Sequence, residues 1–129
     1  MAVTGIDHIV IRVKDRGEAI ERYQALGLEL DSTNENPAVG KIAIFRLADG
    51  FFLELVEPLT PESPIGRALE TRGEGVHSIA LKVDDYEASI EDLKARGAPV
   101  IPVEGLPLAF IHPKATPGAM LQIMKPSAT

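Results

Sequence analysis

The sequence predicts an α+β fold of two tandem β-α-β-β-β modules forming an incomplete barrel around a cleft. Three observations predict it. Residues 7 to 28 (DHIVIRVKDRGEAIERYQALGL) match residues 77 to 98 (HSIALKVDDYEASIEDLKARGA) at a constant offset of 70, with identities at Ile9/Ile79, Val13/Val83, Asp15/Asp85, Ile20/Ile90, Glu21/Glu91, Ala25/Ala95 and Gly27/Gly97. In each copy a period of two gives way to a helical period. The likeness then resumes more weakly at an offset of 68, where Leu53-Glu54-Leu55-Val56-Glu57-Pro58 matches Leu121-Gln122-Ile123-Met124-Lys125-Pro126.

Each element has a local reason. Alternating Ile9, Ile11 and Val13 form a strand with one face against a core. Asp15 with Glu18 three residues on has the form of a capping box, Ile20 and Tyr23 share a helix face, and Gly27 suits a left-handed C-terminal stop. In the second copy Asp84 with Glu87 is expected to cap a helix carrying Tyr86, Ile90 and Leu93 and ending at Gly97. Extended stretches at Lys41 to Leu47 and Pro107 to Ile111 precede the final strands. Ser63 to Glu70 reads as a connecting helix, with Ile65 and Leu69 four residues apart. These boundaries give one domain over 1–129, with modules at about 5–59 and 75–126 and a linker helix at about 62–71.

Composition limits the function. The 129 residues suffice for a core without disulfides, and the absence of cysteine leaves only His, Asp, Glu or Gln to hold a metal. Nineteen acidic and thirteen basic side chains give a net charge of −6, and the basic ones are scattered, which argues against nucleic acid. The N-terminus lacks a signal-peptide pattern and charges interrupt every apolar stretch, so a cytoplasmic protein with no membrane partner is expected.

Strand parity selects the residues facing the cleft. If Ile9, Ile11 and Val13 pack under the helix, His8, Val10 and Arg12 face the other way. The equivalent face carries Phe52, Glu54 and Val56, then Ser78, Ala80 and Lys82, then Met120, Gln122 and Met124. One polar residue from each of four strands, His8, Glu54, Ser78 and Gln122, therefore occupies equivalent positions. Imidazole nitrogen with carboxylate and amide oxygens suits a divalent ion such as Co, Mn, Ni, Zn or Mg, whereas a serine hydroxyl is a poor ligand. His77 has the opposite parity, although a bulge after Gly73-Glu74-Gly75 would turn it inward. His112 and Lys114, with Arg46 at the equivalent position, can supply positive charge for a carboxylate or phosphate; the plain alternative is a turn fixed by Pro113. Arg12 and Lys82 read as charged strand ends. Phe52 and Met120 are apolar wall.

The stretches Asp7-His8-Ile9-Val10, Leu53-Glu54-Leu55-Val56-Glu57-Pro58-Leu59, Ser63-Pro64-Ile65, Val83-Asp84-Asp85 and His112-Pro113-Lys114 resemble the vicinal-oxygen-chelate superfamily. That superfamily includes glyoxalase I, the fosfomycin- and bleomycin-resistance proteins, extradiol dioxygenases and methylmalonyl-CoA epimerase, and the epimerase branch is nearest. The resemblance implies a homodimeric isomerase or lyase. Its metal-assisted proton transfer would take place beside a carbonyl of a small carboxylated or thioester substrate. It also implies metal ligands at His8, Glu54, the third-strand position and Gln122, with Glu54 and Gln122 the catalytic pair. Two of these positions differ from the family pattern: Ser78, preceded by His77, stands where a histidine is usual, and Gln122 where a glutamate is usual. An amide cannot act as a base near neutral pH, and Lys41 to Leu47 contains no carboxylate to replace it. The stretch from Gly97 to Pro107 is also shorter than the family's equivalent loop. The second function implied by the superfamily is metal-free binding of a small molecule, as in the bleomycin-resistance proteins.

Overall fold

The computed structural model describes residues 3–126. They divide into two compact units, His8–His77 and the remainder, residues 3–7 with 78–126. The element order is β1 (Val3–Arg12), α1 (Arg16–Ala25), β2 (Leu30–Asn36), β3 (Gly40–Arg46), β4 (Phe52–Glu57), α2 (Pro64–Arg72), β5 (Gly75–Val83), α3 (Tyr86–Ala95), β6 (Val100–Pro102), β7 (Leu108–Ile111) and β8 (Leu121–Met124).

In the first module the strand order is β2-β3-β4-β1. The hairpins β2/β3 and β3/β4 are antiparallel and β1 lies parallel to β4. The second module has the order β5-β8-β7-β6 with the same pattern of directions. The internal repeat extends to the strand register. Val10 pairs with Glu54 as Ala80 pairs with Gln122, and Ile44 pairs with Glu54 as Phe110 pairs with Gln122. The chain is therefore an α+β fold of two β-α-β-β-β modules, each an open mixed sheet.

Asp15 caps α1 by accepting a hydrogen bond from the Glu18 N–H at 2.9 Å. Gly27, at φ 91°, and Gly97, at φ 74°, adopt the left-handed conformation just beyond α1 and α3. The cap of α3 is Asp85, which accepts from the Ala88 N–H, and not Asp84 as the sequence suggested. Asp85 is one repeat beyond Asp15, so the repeat locates this cap better than the capping-box spacing does.

One face of the first sheet packs under α1 through Val13, Ala43, Phe45 and Leu55, joined by Ile20 and Tyr23 of the helix. In the second module Val83, Ala109, Ile111 and Ile123 pack with Tyr86, Ile90 and Leu93 of α3. The opposite face of the first sheet carries Val10, Ile42, Ile44 and Val56, with Phe52 and α2's Ile65 packed against them.

At the N-terminus of α2 the Ser63 hydroxyl accepts from the Gly66 N–H and donates to the Thr60 carbonyl. A Cβ on Gly66 would run into the Thr60 carbonyl and the Pro61 backbone. Because both obstacles are main chain, they cannot rotate away. Gly66→Ala is expected to destabilise the protein by about 2–3 kcal/mol, measured as a lower urea midpoint.

Candidate functional site

In the first module, β1 runs beside β4 with His8 opposite Phe52 and Val10 opposite Glu54. Alternation places His8, Phe52 and Glu54 on one face of that sheet, away from α1. His8 is buried, and its ring lies flat on Phe52, with centroids 4.5 Å apart and planes 11° from parallel. The Arg46 guanidinium covers the other side of Phe52, 5.1 Å from the ring centroid. Arg46 is in turn paired with Asp31 at 3.6 Å. The result is a layered row, Asp31, Arg46, Phe52 and His8, in which cation–π attraction and stacking fix the plane of the imidazole. Glu54 follows Phe52 on the same face, half-buried, with the buried residues Val10 and Ile44 beside it in register.

In the second module the equivalent positions form a hydrogen-bonded pair. The Ser78 hydroxyl donates to Gln122 Oε1 at 3.3 Å, and Gln122 Nε2 donates to the Met124 sulfur at 3.4 Å. Both polar residues are buried. This amide orientation follows from the partners: sulfur accepts weakly and donates nothing, so a carbonyl oxygen facing it would have no donor. Met120 is half-buried just before β8.

His77 lies on the opposite side of β5 from Ser78, and its Nδ1 accepts from the Arg12 guanidinium at 3.2 Å. Arg12 is the charged end of β1, as the sequence suggests, but it is not left to solvent. It is buried, and it also donates to the carbonyls of Gly73 and Val76, each at 3.1 Å. Burial, with Arg12 and then Arg72 close by, lowers the His77 pKa to about 4, so the ring is neutral at pH 7 and can accept. Burial also lowers the Arg12 pKa, with help from Arg72. The sequence signal that could have revealed this arginine is its parity, shared with His8 and Val10. His112 and Lys114 are exposed in a turn, where His112 Nδ1 accepts from the Lys114 backbone N–H.

The donors fit a divalent ion poorly. Gln122 Oε1 is turned to Ser78, a serine replaces the third imidazole, and the Nδ1 of His77 faces a guanidinium. Among the described residues, no three His, Asp or Glu side chains come together in an arrangement that could hold a metal. No helix among them is long and apolar enough to cross a membrane.

Comparison with known proteins gives the family. The family model of the glyoxalase/bleomycin resistance protein/dioxygenase superfamily matches residues 7–109. The ethylmalonyl-CoA/methylmalonyl-CoA epimerase of Cereibacter sphaeroides is 32% identical over 127 residues, covering 92% of this chain and 95% of that protein. A structure of Streptomyces coelicolor methylmalonyl-CoA epimerase in complex with 2-nitronate-propionyl-CoA superimposes with a TM-score of 0.86 at 31% identity, over 98% of this chain and 100% of that one. The Mycobacterium tuberculosis methylmalonyl-CoA epimerase also gives 0.86, at 30% identity, over 97% and 89%. With the repeated modules and their matched registers, these likenesses establish that the chain belongs to the glyoxalase/bleomycin resistance protein/dioxygenase superfamily.

Proposed function

We propose that the protein is an epimerase-like enzyme that moves a proton at the carbon beside the thioester carbonyl of a small carboxylated acyl-CoA. The observation that carries this reading is the carboxylate of Glu54 on the sheet face it shares with the stacked His8 and Phe52. The epimerase relatives give the substrate class. Glu54 takes the α-proton and becomes a carboxylic acid, while the C–H electron pair moves onto the thioester oxygen. Return of a proton from a solvent-exchanged donor to the opposite face inverts the centre. The buried aliphatic neighbours Val10 and Ile44 lower the polarity on one side of the half-buried carboxylate and strengthen its interaction with the reacting group. Arg46, exposed beyond Phe52, is the cation for an anionic end of the substrate. No step is assigned to a metal ion, because the donors do not fit one.

The test is deuterium incorporation from D2O into methylmalonyl-CoA with chelator present, followed by mass spectrometry. Exchange at the α-carbon, at a rate proportional to protein, is the expected result. Tight binding of the thioester without exchange would overturn the enzyme reading in favour of the small-molecule binder.

A further inference from the structure

We infer that Gln122 serves as a hydrogen-bond donor to the ligand's carbonyl oxygen, aimed by Ser78 and guarded by Met124, in place of a metal ligand. This inference rests on the acyl-thioester reading above. Its basis lies within the second module. The Ser78 hydroxyl donates to Gln122 Oε1, the amide atom that would ligate an ion, and takes one of its two lone pairs. The amide nitrogen carries two hydrogens and no available lone pair, so the end of the side chain that faces Met124 can only donate.

Gln122 is flanked in register by Ala80 on β5 and Phe110 on β7. The partner of Nε2 is the Met124 sulfur at 3.4 Å, a weak acceptor on a flexible, half-buried side chain. A buried amide N–H is costly to leave with a poor acceptor, so a stronger acceptor such as a carbonyl or enolate oxygen displaces the thioether favourably. A donor already held in place by Ser78 meets such an oxygen without reorganising. Glutamate at this position would repel the same oxygen. The residue that departs from the family pattern is thereby suited to a different task.

The experiment is calorimetric binding of 2-nitronate-propionyl-CoA, a planar anion resembling the enolate, with EDTA and separately with added Mn²⁺ or Co²⁺. The wild-type protein is expected to bind equally in all three conditions. Gln122→Leu and Gln122→Glu are each expected to weaken binding by about tenfold or more, and Ser78→Ala by a smaller factor, with urea midpoints recorded for each. The glutamate variant separates roles: a metal-ligand position would bind more tightly with Mn²⁺ after Gln122→Glu, whereas a donor position would lose affinity. Wild-type binding that depends on Mn²⁺ or Co²⁺ would overturn the inference while leaving the thioester reading intact. Absence of binding in every condition would remove both.

Discussion

Replacing Glu54 by glutamine is expected to slow α-proton exchange by about 10²- to 10⁴-fold, the usual contribution of a positioned general base. The substitution keeps the side chain's length and shape, so packing beside Val10 and Ile44 should be undisturbed. What it removes is an oxygen able to take a proton. The effect should therefore fall on kcat, with KM for the thioester changing much less, because the amide still fills the same place in the complex. Phe52→Leu provides the contrast. It keeps the carboxylate but removes the ring on which His8 lies and over which Arg46 sits, so its effect should include KM. Exchange by Glu54→Gln at the wild-type rate would mean that another group is the base.

The relation between sequence and structure explains why the carboxylate was readable and its supporting row was not. Strand alternation depends only on position along the chain. The repeat supplied two independent copies of it, so the common face of His8, Phe52 and Glu54, and of Ser78 and Gln122, followed from parity. The pairing of Val10 with Glu54 and Ala80 with Gln122 is the same regularity expressed in register. The flat stack of His8 on Phe52 depends instead on which residues of β1 and β4 stand opposite, and a slip of two residues would have satisfied parity equally well. The α3 cap failed for a local reason. Asp84 and Asp85 are both competent caps, and Glu87 three residues after Asp84 favoured the wrong one until the repeat was applied. The burial of Arg12 is not legible in the sequence because its partners, Gly73, Val76 and His77, lie 61 to 65 residues away. Parity with His8 and Val10 gives its face, but not the acceptors that a guanidinium meets there.

That arginine gives the second large expected effect. Arg12→Met should destabilise the first unit by about 2–4 kcal/mol, because the Gly73 and Val76 carbonyls and the His77 ring each lose a donor and methionine offers none. Arg12→Lys should recover less than half of this, since one ammonium cannot reproduce a fork that reaches three acceptors. A dependence on pH accompanies it. Burial is the main cause of the lowered His77 pKa, followed by Arg12 and Arg72, and the value falls from 6.5 to about 4. The unfolded chain takes up a proton at His77 near pH 6.5, whereas the folded chain resists until about pH 4. Folding is therefore most favoured with respect to this residue above pH 6.5. As pH falls from there through about 4, stability drops by on the order of 3 kcal/mol at most. Below that range the ring is charged in both states and the loss is complete. Urea titrations of wild type and His77→Gln at pH 7 and pH 4.5 measure this difference, and the variant should lose less stability on acidification. In Arg12→Met the acid sensitivity should be reduced but not abolished, because the larger cause, desolvation, survives the loss of the guanidinium. An Arg12→Met protein as stable as wild type at pH 7 would show that the three hydrogen bonds only offset the cost of burying the charge.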